Sequence, residues 1–355
     1  MEIRQLGNSG VSVSGVIFGA WAIGGWMWGG TEEKQSIEAI NAGLDAGMTT
    51  IDTAAIYGYG YSEELVGKAI RGRRDRPIIA TKCGMRWDSD EGTDPWPQPQ
   101  NDAQGKQIVI RKNSRPASIA FECEQSLKRL GVDTIDIFQI HWPDVSTPVA
   151  DSIGALDRLR TAGKIRAIGL SNYDLPRLRE AVAVARIDCI QPSYSVVRRK
   201  IENDLLPYCR QNNIGVICYS PMERGLLTGS AGPDRQFPPG DHRRNSPTFS
   251  QENRQRVHDA LQKIKPIADK LGASFAQLAV NWAAHQPGIT AAIVGARDAE
   301  QARHNAAALN FKLNADDLAA IRSAFDTAAQ FFATSEFGGS RAATMPPAAQ
   351  PASPR

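Results

Sequence analysis

The chain has 355 residues, 42% of them hydrophobic and 22% charged, with a net charge of +3. These are ordinary values for a globular protein with a large core, and so small a positive excess gives no electrostatic footprint for nucleic acid. No apolar stretch approaches the roughly 18 residues a membrane helix needs, and the opening residues form no signal-peptide core.

In chain order, Ile3 to Val13 reads as a short hairpin. Apolar runs then recur near 15–19, 49–52, 78–82, 134–140, 164–169, 188–191, 214–219 and 291–294, with helix-sized amphipathic segments between them. Eight strands, each followed by a helix, predict parallel pairing through right-handed crossovers and hence a closed (β/α)8 barrel. A doubly wound sheet would carry G-x-G-x-x-G after the first strand, and none is present. Helix starts are expected at Thr31, before Glu32 and Glu33, and at Ser62, before Glu63 and Glu64, with Gly72 as a stop. Further helix patterns fall near 118–130, 149–161, 174–185, 251–271, 274–285 and 314–329.

Two segments, 84–115 and 230–250, exceed ordinary loop lengths. Both leave carboxyl ends of strands, the face on which barrel sites lie. The first, with Trp87 and Trp96, is expected to wall the substrate pocket. Residues 1–333 read as one domain and 338–355, rich in Ala, Pro and Ser, as a mobile tail. The basic clusters Arg71–Arg76 and Arg198-Arg199-Lys200 read as solvated helix ends. The five cysteines, Cys83, Cys123, Cys189, Cys209 and Cys218, show no C-x-x-C spacing. They fit reduced, buried thiols in a cytoplasmic protein. The five histidines show no metal-site spacing, and no metal is expected.

Strand ends carry the chemistry. Asp52 closes the second apolar run and Tyr57 follows in a glycine-rich turn; Lys82 ends the third run, and His141 the fourth. Parallel neighbouring strands would bring a carboxylate, a phenol, an ammonium and an imidazole to one rim, a set suited to proton transfer. A lysine ending a buried strand is the most telling, because its ammonium must find a partner.

These four residues resemble the catalytic tetrad of the aldo-keto reductases. The resemblance runs from about Ile3 to Phe332 and is similar to the bacterial general-stress-protein type, near the inositol-cluster reductases. It rests also on Gly19–Gly30, on Gly-Lys-Ile-Arg-Ala-Ile-Gly-Leu-Ser-Asn at 163–172 and on Arg-Gly-Leu-Leu-Thr-Gly at 224–229. It implies a barrel plugged by the N-terminal hairpin, with two extra helices, that reduces an aldehyde or ketone with NADPH. Tyr57 is then the general acid, Lys82 lowers its pKa, Asp52 holds Lys82, and His141 orients the carbonyl.

The resemblance also implies where the cofactor lies. Ser171, Asn172 and Gln191 match residues that bind the nicotinamide carboxamide, and Tyr219 the aromatic that stacks on its ring. The loop with Ser220, Pro221, Met222, Arg224, Gly225 and Leu226 would follow the pyrophosphate, with Arg244 or Arg243 closing over it. Gly295, Ala296 and Arg297 would meet the adenosine 2′-phosphate, with Gln301 and Asn305 at the adenine. The eukaryotic branch carries a lysine where Gly295 stands. Trp21, Trp26, Trp28, Trp87 and Trp142 are candidate walls for a small carbonyl substrate. The same site could run mainly as a sugar or polyol dehydrogenase, and some relatives are dinucleotide-sensing regulatory subunits. The expected state is a monomer or weak homo-oligomer with neither nucleic acid nor membrane as partner.

Overall fold

Eight apolar runs become eight parallel strands closed into a barrel. They are β1 (Val16–Gly19), β2 (Thr50–Asp52), β3 (Ile78–Cys83), β4 (Ile135–Ile140), β5 (Ile165–Ser171), β6 (Cys189–Gln191), β7 (Gly215–Tyr219) and β8 (Ala291–Gly295). The computed structural model describes residues 1–25, 32–93, 100–101, 107–238, 241 and 243–334. Trp26, Trp28, Thr31, Trp96 and the segment 338–355 therefore lie outside the described residues. Each strand is covered on both faces, so its sequence reads as a continuous apolar run instead of an alternation.

Strand parity sorts the core into two layers. Ile17, Ala80, Ile137, Ala167, Cys189, Ile217 and Ala291 fill the barrel interior, and Leu6, Val11 and Val13 of the N-terminal hairpin pack into the same cluster. The hairpin pairs Ile3–Gln5 with Ser12–Ser14. It enters closely enough that a Cβ on Gly215 would lie 2.6 Å from Leu6 Cδ1. The alternate residues, such as Phe18, Ile51, Phe138, Ile168 and Val294, face the helices.

The helices are α1 (Glu33–Asp45), α2 (Tyr61–Ile70), α3 (Pro116–Leu130), α4 (Val149–Thr161), α5 (Leu175–Val184), α6 (Leu205–Gln211), α7 (Gln251–Leu271), α8 (Phe275–Ala284), α9 (Ala299–Ala306), α10 (Ala315–Ala324) and α11 (Asp326–Thr334). The stretch near 314–329 is thus two helices that part at Phe325, and both pack on α7.

Two expected helix starts are displaced. The residue before α1 is Glu32, in extended conformation, so Thr31 falls one position early. Helix α2 begins at Tyr61 behind Gly60, whose φ is +102°. Ser62 lies inside it, its hydroxyl donating to the Ala20 carbonyl at 3.0 Å and meeting Thr53 Oγ1 at 2.8 Å. The glycine turn after Tyr57 runs straight into the helix and leaves Ser62 to tie two strand ends together.

The basic clusters are not simply solvated. Arg76 joins Arg166 around the buried carboxylate of Asp136, which also accepts the Ile79 N–H at 3.0 Å. Arg198 is buried and pairs with Glu223 at 3.2 Å. All five cysteines are free and buried. Among the described residues, no helix is long and apolar enough to cross a membrane.

Candidate active site

The closed barrel brings the four strand-end groups together at its carboxyl rim. Asp52 ends β2 and Lys82 sits near the end of β3. The Lys82 ammonium is fully buried and donates to Asp52 Oδ1 at 2.6 Å, to the Thr53 carbonyl at 2.9 Å and to Tyr57 Oη at 3.4 Å. The other Asp52 oxygen accepts from Gln191 Nε2 at 2.7 Å and from Gln139 Nε2 at 3.4 Å. The pair is therefore enclosed by further hydrogen bonds, the condition under which a buried ion pair is tolerated. His141 directly follows β4, and its ring meets that of Tyr57 edge to face at 5.6 Å.

The proton affinities depart from one expectation. Tyr57 is pushed well above the ordinary phenol value, first by burial and then by the Asp52 charge. The net direction is opposite to the lowering expected from Lys82 alone, because burial of the phenol outweighs the neighbouring ammonium. Burial also lowers the Lys82 pKa, an effect that Asp52 opposes. His141 is held well below the usual imidazole value by burial and by the Lys82 charge. At neutral pH the rim thus offers a protonated phenol and a neutral imidazole side by side.

From this rim a cleft of about 1070 Å³ runs across the barrel mouth to α9. Tyr57, His141, Trp21, Met85 and Trp142 line one end. Met85 belongs to the segment 84–115, which folds partly as a ribbon in which Met85–Arg86 pairs with Arg111–Lys112. Trp87 stands outside the lining and packs on Tyr59 with ring centroids 6.0 Å apart. Among the described residues the segment therefore meets the cleft through Met85, while Trp87, Ile108 and Ile110 buttress the turn that carries Tyr57.

Ser171, Asn172, Gln191 and Tyr219 line the middle of the cleft and are bonded to one another. Asn172, at φ +61°, donates to the His141 carbonyl at 2.9 Å and to Ser171 Oγ at 3.1 Å, and accepts from Tyr219 Oη at 2.8 Å. Ser171 Oγ donates to the Gln191 carbonyl at 3.0 Å. Beyond them Ser220, Pro221, Met222, Arg224 and Gly225 line the cleft, while Leu226 is buried beneath. Glu223, Arg224 and Gly225 have φ values of +46°, +57° and +92°. At Glu223 and Arg224, which are not glycine, this is strained backbone of the sort that clusters at ligand sites.

The far end is cationic. Arg224, Arg235, Arg243 and Arg297 all line it. Arg244 does not; it is exposed, and Arg243 turns inward instead, anchored by Asp241 through two bonds of 2.9 and 2.6 Å. Gly295, Arg297, Gln301 and Asn305 also line the cleft, with Ala296 buried behind. Gln301 and Asn305 shape this loop: Gln301 Oε1 accepts the Arg297 N–H at 3.1 Å and Asn305 Nδ2 donates to the Gly295 carbonyl at 3.0 Å. Among the described residues the Arg297 guanidinium has no partner. A long cleft with an acceptor-lined middle and an arginine-lined end fits an extended dinucleotide with its phosphates among the cations.

Sequence reasoning passed over Gln139, Met85, Arg235 and the Thr53 carbonyl. A signal for Gln139 was present: it interrupts an apolar strand two residues before His141, and strand periodicity places both on one face.

The Aldo/keto reductase family matches residues 15–326. The aldo-keto reductase YhdN of Bacillus subtilis (strain 168) is 38% identical over 320 residues, spanning 89% of this chain and 91% of that protein. The NADH-specific methylglyoxal reductase of Escherichia coli (strain K12) is 38% identical over 328 residues, 91% of this chain and 98% of its own. Among solved structures, a glycerol dehydrogenase from Gluconobacter oxydans aligns with a TM-score of 0.81 and 36% identity, covering 91% of this chain and 94% of that one. An aldo/keto reductase from Klebsiella pneumoniae, in complex with NADP and acetate, aligns at 0.67 and 27%, covering 91% and 95%. The chain belongs to the aldo/keto reductase family, oxidoreductases that work with nicotinamide cofactors.

The depressed His141 value has a consequence for stability. The unfolded imidazole takes up a proton below about pH 6.5 while the folded one stays neutral, so stability is present above that value and lost as the pH falls below it. His141→Asn should remove this sensitivity, which amounts to at most about 1.4 kcal/mol per pH unit. Urea denaturation at pH 7.5 and 5.5 checks it: the wild type should lose more stability than the variant on acidification.

Proposed function

We propose that this chain reduces an aldehyde or ketone to the alcohol with NADPH, and that Tyr57 delivers the proton. The observation that carries the reading is the Tyr57 hydroxyl, 3.4 Å from a buried ammonium that is itself 2.6 Å from Asp52. A bound reduced nicotinamide supplies hydride to the carbonyl carbon. Tyr57 holds the proton for the carbonyl oxygen, and its raised pKa keeps that proton in place at neutral pH. Lys82 stabilises the phenolate left after transfer, and Asp52 keeps the ammonium aimed. The neutral His141 imidazole hydrogen-bonds the carbonyl oxygen and fixes its direction. Trp21, Met85 and Trp142 offer an apolar wall that keeps water from the reacting oxygen.

The preference for NADPH is assigned to Arg297, an exposed guanidinium in the cleft with no partner among the described residues. The Escherichia coli relative is NADH-specific, so membership in the family does not itself decide between the cofactors. A second reading is favoured by the Gluconobacter relative, a glycerol dehydrogenase: the same residues working mainly in oxidation. Tyr57 must then act as phenolate, so its raised pKa makes reduction the neutral-pH direction and oxidation an alkaline one.

Purified protein should oxidise NADPH, followed by absorbance, only when a carbonyl compound is added. Tyr57→Phe should lower turnover by roughly 10²–10⁴-fold with cofactor affinity little changed; turnover within about twofold of wild type contradicts the assignment. Arg297→Ala should remove a charged hydrogen bond of about 1.5–3 kcal/mol, weakening NADPH ten- to a hundredfold and sparing NADH. Equal losses for both cofactors by fluorescence titration would make Arg297 structural.

A further inference from the structure

Three side chains meet below the floor of the cleft in a chain that the four-residue reading does not use. Gln139 is fully buried, and Gln191 and Asp52 are nearly so. Gln191 Nε2 lies 2.7 Å from Asp52 Oδ2 and 3.3 Å from Gln139 Oε1, while Gln139 Nε2 lies 3.4 Å from the same Asp52 oxygen. A carboxylate only accepts, so both amides must turn nitrogen toward Asp52. Gln139 then has its oxygen free for the second Gln191 N–H, and only one orientation satisfies all three groups. With both N–H groups of Gln191 committed, its Oε1 is left over. Gln191 lines the cleft, and among the described residues nothing donates to that oxygen.

The backbone makes room for this arrangement. Gln139 stands beside Gly169 in the β4–β5 register. A Cβ at 169 would fall 2.6 Å from Gln139 Cγ and 2.8 Å from Cys189 Sγ. Gly169 has no left-handed conformation to explain it; the space it leaves is filled by the glutamine.

We propose that Gln139 is a positioning residue: Asp52 sets which end of the Gln191 carboxamide carries the nitrogen, and the second Gln191 N–H, bonded to Gln139 Oε1, fixes the plane of that amide with its oxygen toward the cleft, so that the site demands a hydrogen-bond donor from the ligand there. A primary carboxamide supplies one and a methyl ketone does not. The same lock ties the ligand pocket to Asp52, and through Asp52 to Lys82 and Tyr57. This inference rests on the dinucleotide reading of the cleft.

The test compares NADP⁺ with its 3-acetylpyridine analogue, in which methyl replaces the amide nitrogen and every phosphate and ribose contact is kept. Binding is read by intrinsic fluorescence, without turnover. Wild type should prefer NADP⁺ by roughly tenfold, the worth of one buried hydrogen bond. Gln139→Met keeps the length of the side chain and removes both polar atoms. In that variant the preference should shrink to within about twofold, with the analogue bound as in wild type. Gly169→Ala, which displaces Gln139 without altering it, should do the same. A preference that persists in folded variants, or that is absent in wild type, overturns the assignment of Gln139. Wild type that binds neither ligand overturns the dinucleotide reading as well, so the two failures are distinguishable.

Discussion

A fully buried ammonium has to be met by negative charge and by acceptors, and the barrel mouth is arranged around that need. Lys82 has three acceptors, Asp52, the Thr53 carbonyl and Tyr57, and no water-facing surface. An uncompensated charge at such a depth would cost several kcal/mol. Asp52 therefore cannot move without exposing the site to that penalty, and the two glutamine amides on its second oxygen fix it from below. The consequences reach the reacting groups. Burial, helped by the carboxylate that satisfies the ammonium, holds the proton on Tyr57, and burial together with the ammonium keeps the imidazole of His141 neutral.

The cleft divides its labour by charge. At the Tyr57 end the side chains beyond the reacting groups are Trp21, Met85 and Trp142, while the arginines gather around the Ser220–Gly225 turn and at Arg297. The turn is strained at two consecutive residues, Glu223 and Arg224, and the buried Glu223 accepts from Ser195 at 2.9 Å and Arg198 at 3.2 Å. Those bonds offset the strain and hold the turn in a shape that leaves Arg224 lining the cleft. Aromatic rings order the guanidinium groups: Arg224 lies over Phe249, and Arg235 and Arg243 over Phe237. A preorganised cationic lining of this kind reduces the entropy lost when a long flexible ligand binds.

Much of this arrangement is legible in the sequence. The eight strands fall where the apolar runs stand, since double-sided burial leaves a signal that short alternating strands do not. Asp52, Lys82 and His141 can be placed because each ends such a run. Helix starts are less readable: Ser62 has the residue type of a cap, yet it serves as a tie between strand ends, because Gly60 already supplies the turn. Arg198 looks like surface charge because its partner, Glu223, is 25 residues away, a separation that local pattern cannot bridge. Gln139 escapes notice for a related reason. A buried amide declares its role only when its two partners, one on β2 and one on β6, are known. The upward shift of Tyr57 is not legible in the sequence because its largest cause is burial, which only the closed fold supplies.

On the proposed chemistry, the Asp52–Lys82 pair exists for the phenol beside it and not for the stability of the barrel. A two-step replacement tests this most directly, with stability from urea denaturation and turnover from carbonyl-dependent NADPH oxidation. Lys82→Met alone should cost about 3–5 kcal/mol by leaving a buried carboxylate unpaired. Adding Asp52→Asn should return most of that stability while turnover stays at least about 10²-fold below wild type. If turnover recovers together with stability in the double variant, the pair is a structural device and Tyr57 does not depend on it.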